Sequence, residues 1–151
     1  MLEGHQEIDI LYIGEIEFPN IVNENEIGNK NSRFSVKGTG KCKIEVFSGE
    51  GSIPHFHITG IANKFNCCVR IHEPFFFSHG NKYRDTLNKQ QCKELNEWLK
   101  QPNRVDEVDI TNWETIRFGW NLSNPDCRYP KNLKATNQPD YTKMALFRDS
   151  I

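Results

Sequence analysis

The sequence predicts an α+β fold: an antiparallel sheet of about four to five strands, followed by two short helices packed on one face. Three observations predict it. Apolar residues alternate with period two through the first half of the chain, as a strand with one buried face requires. Two segments of the second half carry apolar residues at helical spacing, each behind a residue suited to cap a helix. The strands also precede the helices instead of alternating with them, which is the order of an α+β domain.

Residues 7–18, "EIDILYIGEIEF", open the sheet. Ile8, Ile10, Tyr12, Ile16 and Phe18 share one parity, while Glu7, Asp9, Glu15 and Glu17 share the other. This is one long strand, or two broken at Gly14, closed by Pro19. The Asn-rich stretch 20–33 has no period and reads as a loop. In "KCKIEVFS" at 41–48, Cys42, Ile44 and Val46 point one way and Lys41, Lys43 and Glu45 the other. "GEGSIP" then turns the chain, with glycines for unusual φ and Pro54 to stiffen the exit. Strands follow at 55–60 and at 65–73, the latter ended by Pro74. "FFF" at 75–77 is a short edge strand or a buried corner.

The first helix begins at Asn88, with Gln91 three residues on to complete a capping box. Cys92, Leu95 and Leu99 then fall at i, i+3 and i+7, and Pro102 stops the helix. Thr111 and Glu114 cap the second helix, whose apolar face is Trp113, Ile116 and Trp120; "SNPD" at 123–126 breaks it. Residues 1–121 therefore form a single domain. Residues 122–151 are a polar extension, either loose or anchored by Tyr129, Tyr141 or Phe147.

Length, charge and cysteine usage narrow the function class. A chain of 151 residues suits one domain with a real core. A net charge of −1 argues against a broad basic surface for nucleic acid, though not against a local patch. No apolar run approaches membrane-spanning length, and the start "MLEGHQEIDI" has no basic region followed by an apolar one. A cytoplasmic protein without membrane attachment is expected. Five cysteines, an odd count with no Cys-x-x-Cys spacing, are then expected as thiols instead of bridges or a zinc ribbon.

The stretch "SIPHFHITG" at 52–60 carries the chemistry. Strands 55–60 and 65–73 are joined by very few residues, so an antiparallel hairpin is expected. Its aliphatic sets must share one face, because a slip by one residue would separate them. The tightest register, with a turn at Ala62-Asn63, pairs His57 with Cys68 and His55 with Arg70, and His72 falls one step further. The pattern thus gathers His55, His57, Cys68, Arg70 and His72 into one polar patch.

Four readings of that patch stand side by side. As a metal site, His55 and His57 hold a divalent ion such as zinc, with His72 or Cys68 as third ligand. As a catalytic site, His57 is nucleophile, His55 supports it, and Arg70, His72 and Thr59 bind a phosphoester. Histidine-triad hydrolases carry three alternating histidines where this chain has His55, His57 and Thr59, so the expected proton donor is lost. Two-histidine phosphoesterases carry paired His-x-Thr motifs, of which His57-Ile58-Thr59 is a single copy. A cupin opening, Gly49 followed by His55-x-His57, lacks its glutamate. As a Cys–His pair, Cys68 beside His57 is a nucleophile. As plain strand residues, the histidines are half-exposed and His55 pairs with Arg70 and a loop carboxylate such as Glu50. His79-Gly80 reads as a turn.

Beyond the single motif, the order of features resembles a family of small bacterial domains of unknown function whose hallmark is Pro-Pro-His-Phe-His. Here the motif is Ile53-Pro54-His55-Phe56-His57-Ile58, with isoleucine in place of the first proline. "CCVRIHEP" at 67–74, Gly80, Gln91, Leu95, Trp98 and Trp120 also agree, and the resemblance covers roughly residues 42–121. The resemblance implies a toxin–antitoxin-like or mobile-element (phage or bacterial) setting and no particular reaction. Together with the incomplete catalytic sets, it leads to the expectation of a binding or regulatory module acting on a protein or nucleic acid. The alternative is a metal- or histidine-dependent phosphoester or nucleotide hydrolase.

Overall fold

A computed structural model describes residues 10–18, 40–49, 53–61, 64–77, 85–103, 110–125 and 137–147. The Asn-rich loop, the Ala62-Asn63 turn, Glu50, His79-Gly80 and Tyr129 lie outside the described residues. Strands β1 (Ile10–Glu17), β2 (Lys41–Phe47), β3 (His55–Gly60), β4 (Asn66–Arg70) and β5 (Phe75–Phe77) precede two helices, α1 (Lys89–Leu99) and α2 (Asn112–Ser123), and a last strand β6 (Ala145–Phe147). The sheet runs in chain order, β1-β2-β3-β4-β5-β6. The first five strands pair antiparallel, each with the next. The α+β architecture expected from the sequence is thus present.

Strand β1 crosses Gly14 without breaking. Its register shifts between Tyr12 and Gly14, so Ile13 is the extra residue of an irregularity and becomes buried. Gly14 also leaves room for α1: a Cβ there would lie 3.0 Å from the Trp98 ring. Gly119 does the same for α2, where a Cβ would meet Leu11 at 2.7 Å. A Cβ at either point would force the facing side chain to shift, the exposed Leu11 tip more readily than the Trp98 ring.

Both helices begin with complete capping boxes, Asn88 with Gln91 and Thr111 with Glu114. Each box satisfies amide donors that a helix start leaves open. Cys92, Leu95 and Leu99 of α1 and Trp113, Ile116 and Trp120 of α2 join one core with Ile44, Ile58, Val69 and Ile71 of the sheet. Burying each such side chain contributes about 1.5–3 kcal/mol. Buried asparagines lock the corners, where polar groups need partners. Asn103 donates to the Ile13 carbonyl (3.2 Å) and to Asn112 Oδ1 (2.9 Å), and Asn112 donates to the Trp98 carbonyl (2.8 Å).

The C-terminal segment returns to the domain. Strand β6 pairs parallel with β5, Phe76 opposite Leu146. Tyr141 is fully buried. Its hydroxyl donates to the Ile71 carbonyl (2.7 Å), which also accepts from Trp113 Nε1 (3.0 Å). Its amide donates to Asn96 Oδ1 (3.0 Å) on α1. The segment from 137 to 147 therefore completes the sheet and ties it to both helices. Among the described residues, no helix is long and apolar enough to cross a membrane.

Candidate functional site

Strands β3 and β4 pair in the register that the aliphatic pattern selects: His55 opposite Arg70, Phe56 opposite Val69, His57 opposite Cys68. Because side chains alternate across a strand, Phe56, Ile58, Cys67 and Val69 face the helices, and His55, His57 and Cys68 lie on the other side. There the ligand-capable atoms of His55, His57 and Cys68 all fall within 4.8 Å of one another. Cys68 Sγ lies 3.3 Å from His57 Nδ1.

The cluster is not the half-exposed polar face that the alternation suggests. His55, His57 and Cys68 are 1%, 0% and 1% exposed. Aromatic rings account for much of this. Phe47 stacks on His57 with centroids 4.1 Å apart. Phe77 lies 4.8 Å from His55, and Trp120, from the end of α2, 5.2 Å from it. Glu45 pairs with His57 and Val69 with Phe76, so the registers place Phe47 and Phe77 on the histidines' face, and these two rings are the signal that this face is also covered. His55 Nδ1 is 2.7 Å from the Ile53 carbonyl, so that nitrogen carries the proton and donates it. The Pro54 bend thus fixes the ring from the strand's own entry.

The remaining predicted residues lie elsewhere. His72 does not continue the polar face. Strand β4 ends at Arg70, the chain bends, and the His72 ring meets Trp113 edge-on at 6.0 Å. It takes no place in the cluster, and the third ligand-type group beside His55 and His57 is Cys68. Burial, and secondarily the Arg117 charge, lower the His72 pKa to about 4. Arg70 forms an ion pair with Glu73 at 2.7 Å, so its guanidinium is held at the strand end. Thr59 is half-buried and sits opposite Asn66 and Lys43, beyond His57. Glu45 is the register partner of His57 on β2. It is nearly buried and pairs with Lys43 at 3.6 Å.

Three other described thiols behave as core side chains. Burial pushes Cys42 up to about 12 and Cys67 well above the ordinary thiol range, and raises Cys92 as well. Their protonated state makes them poor nucleophiles. Chemically, the His–His–Cys cluster is set for proton sharing between thiol and imidazole or for holding a thiophilic cation. Neither large substrates nor bulk water reach it in this conformation.

Comparison with protein-family models, with characterised proteins and with solved structures finds no match to this chain.

Proposed function

We propose that the chain is a small binding or regulatory module that engages a protein partner, and not an enzyme acting at its His-x-His strand. The observation that carries this reading is the contrast between a closed histidine cluster and an open apolar surface on the β1/α2 side. Leu11, Phe118 and Leu122 are 36%, 50% and 76% exposed. They are neighbours: Gly119 sits against Leu11, while Phe118 and Leu122 are one helical turn apart. The Arg117 guanidinium lies 5.3 Å from the Phe118 ring. Contiguous exposed apolar side chains beside a positive charge suit a partner that offers an apolar anchor next to a carboxylate. The resemblance to the Pro-Pro-His-Phe-His domains supports the same class, with a toxin–antitoxin-like or mobile-element setting.

The test is retention of a partner from native lysate by the wild type and by a Phe118→Asp/Leu122→Asp variant, with circular dichroism to show equal folding. A specific protein held by the wild type and lost by the variant is expected. Equal retention by both, or none by either, defeats the reading. The Cys68–His57 contact favours a second reading, a hydrolase that opens to admit a phosphoester. Turnover of a nucleotide and phosphodiester panel that disappears in His57→Ala would put that reading in place of the first.

A further inference from the structure

We infer that His55, His57 and Cys68 form a binding site for one zinc ion. The inference does not depend on the partner-binding reading, because the two rest on different residues.

Distance is the first ground. All three donor atoms lie within 4.8 Å of one another, and the closest printed pair, Cys68 Sγ and His57 Nδ1, is 3.3 Å apart. Two ligands on one tetrahedral zinc, at about 2.0–2.1 Å for nitrogen and about 2.3 Å for sulfur, are separated by about 3.5 Å. The spacing of the three donor atoms is thus close to what one ion needs.

The second ground is the tautomer of His55. Its Nδ1 proton is given to the Ile53 carbonyl, which leaves the Nε2 lone pair as the only one on the ring. A ligating histidine typically donates its other ring N–H to a carbonyl or carboxylate in just this way, and that outer contact orients the ligand. The carbonyl belongs to the residue before Pro54, on the segment that leads into β3.

Placement is the third. His57 and Cys68 are direct register partners on adjacent antiparallel strands, and His55 is two residues along the same strand. Sites built on strands hold their ligands more narrowly than sites on loops. The aromatic wall of Phe47, Phe77 and Trp120 keeps water out, so a thiolate there needs a cation beside it. Two imidazoles and one thiolate are wrong for calcium or magnesium, which take oxygen ligands, and right for zinc. Binding replaces the S–H bond with an S–metal bond, and the thiol proton leaves to solvent.

The full chain, stripped with a chelator, is titrated with Co²⁺ as a spectroscopic stand-in. A thiolate-to-cobalt band and intense tetrahedral ligand-field bands should appear and saturate at one equivalent. Stoichiometric Zn²⁺ should then erase them. Cys68→Ser should lose the thiolate band, and His57→Ala should weaken binding by more than about tenfold. Nitrogen-15 shifts of the wild-type imidazoles during a Zn²⁺ titration give a readout that no variant's folding can obscure: only His55 and His57 should move. Absence of the thiolate band in the wild type overturns the inference. So does its persistence in Cys68→Ser, or a shift of His72 in place of His55. None of these variants touches Leu11, Phe118 or Leu122, so loss of metal and loss of partner are read separately.

Discussion

On one side of the sheet, Ile44, Ile58, Val69 and Ile71 meet Leu95, Leu99 and Ile116 in a single apolar core. On the other, one residue out of step along the same strands, His55, His57 and Cys68 meet Phe47 and Phe77. The aliphatic set and His55, His57 and Cys68 are all at most about 1% exposed, while Phe47 is only partly buried. The two faces differ in what burial demands. The aliphatic face needs only volume and shape, because dispersion and the hydrophobic effect have no direction. The histidine face needs partners at defined angles, since each polar atom left unmatched costs about 1–3 kcal/mol. A hydrophobic face tolerates any residue of the right size; a face built of imidazole and thiol tolerates very few.

That contrast can be broken at its stronger side first. Ile58→Ala removes a fully buried side chain from the aliphatic face and should cost about 2–5 kcal/mol in denaturant unfolding, the range for cavity formation. A conservative Ile58→Val should recover most of it. On the histidine face, measured without metal, Cys68→Val should cost about 1–3 kcal/mol by removing the thiol from His57 Nδ1. Here size is not the issue, and the signature is coupling. A double-mutant cycle with His57→Leu should give an interaction energy of about 0.5–3 kcal/mol, whereas a cycle between Ile58→Val and Cys68→Val should be nearer to additive. Equal coupling in both cycles would show that the two faces do not differ as argued.

The smallest effect lies at the end of β4. His72 is held neutral, with its pKa lowered to about 4 against about 6.5 in the unfolded chain. The unfolded state therefore binds the extra proton between those values. Stability from this group is present above about pH 6.5 and is lost as pH falls toward 4, with no further loss below. At a half-buried group, solvent screening reduces the loss to the order of 1 kcal/mol. Chemical denaturation from pH 7.5 to 4 should show it, and His72→Gln should flatten that part of the profile. A profile unchanged by His72→Gln would move the acid sensitivity to another group.

Much of this was legible in the chain. Parity narrows the register of β3 on β4 to one family of pairings, since Phe56, Ile58, Cys67, Val69 and Ile71 must share a face, and the short connection selects the member observed. Both capping boxes announced their helices through Asn88 and Gln91 and through Thr111 and Glu114. What parity cannot say is where a strand stops. Pro74 puts the expected end at Glu73, three residues beyond Arg70, so His72 is expected on a face that the chain has already left. Nor does alternation reveal whether the second face meets water: that depends on Phe47, Phe77 and Trp120 arriving from three other elements. Strand β6 was illegible for another reason. Three residues carry no period, and their partner on β5 is distant in sequence.

That distance orders the assembly of the molecule in time. Phe75 and Ala145 pair across 145 − 75 = 70 residues, whereas β3 and β4 close over a handful. Short closures are entropically cheaper and faster than long ones. During synthesis the β3–β4 hairpin can zip as it leaves the ribosome, while β5 waits with one row of backbone groups unmatched by β6. Two full helices must be translated before that strand exists, and an open strand edge invites pairing with another chain. Between the translation of residue 77 and that of residue 147, the β5 edge therefore has no β6 to pair with.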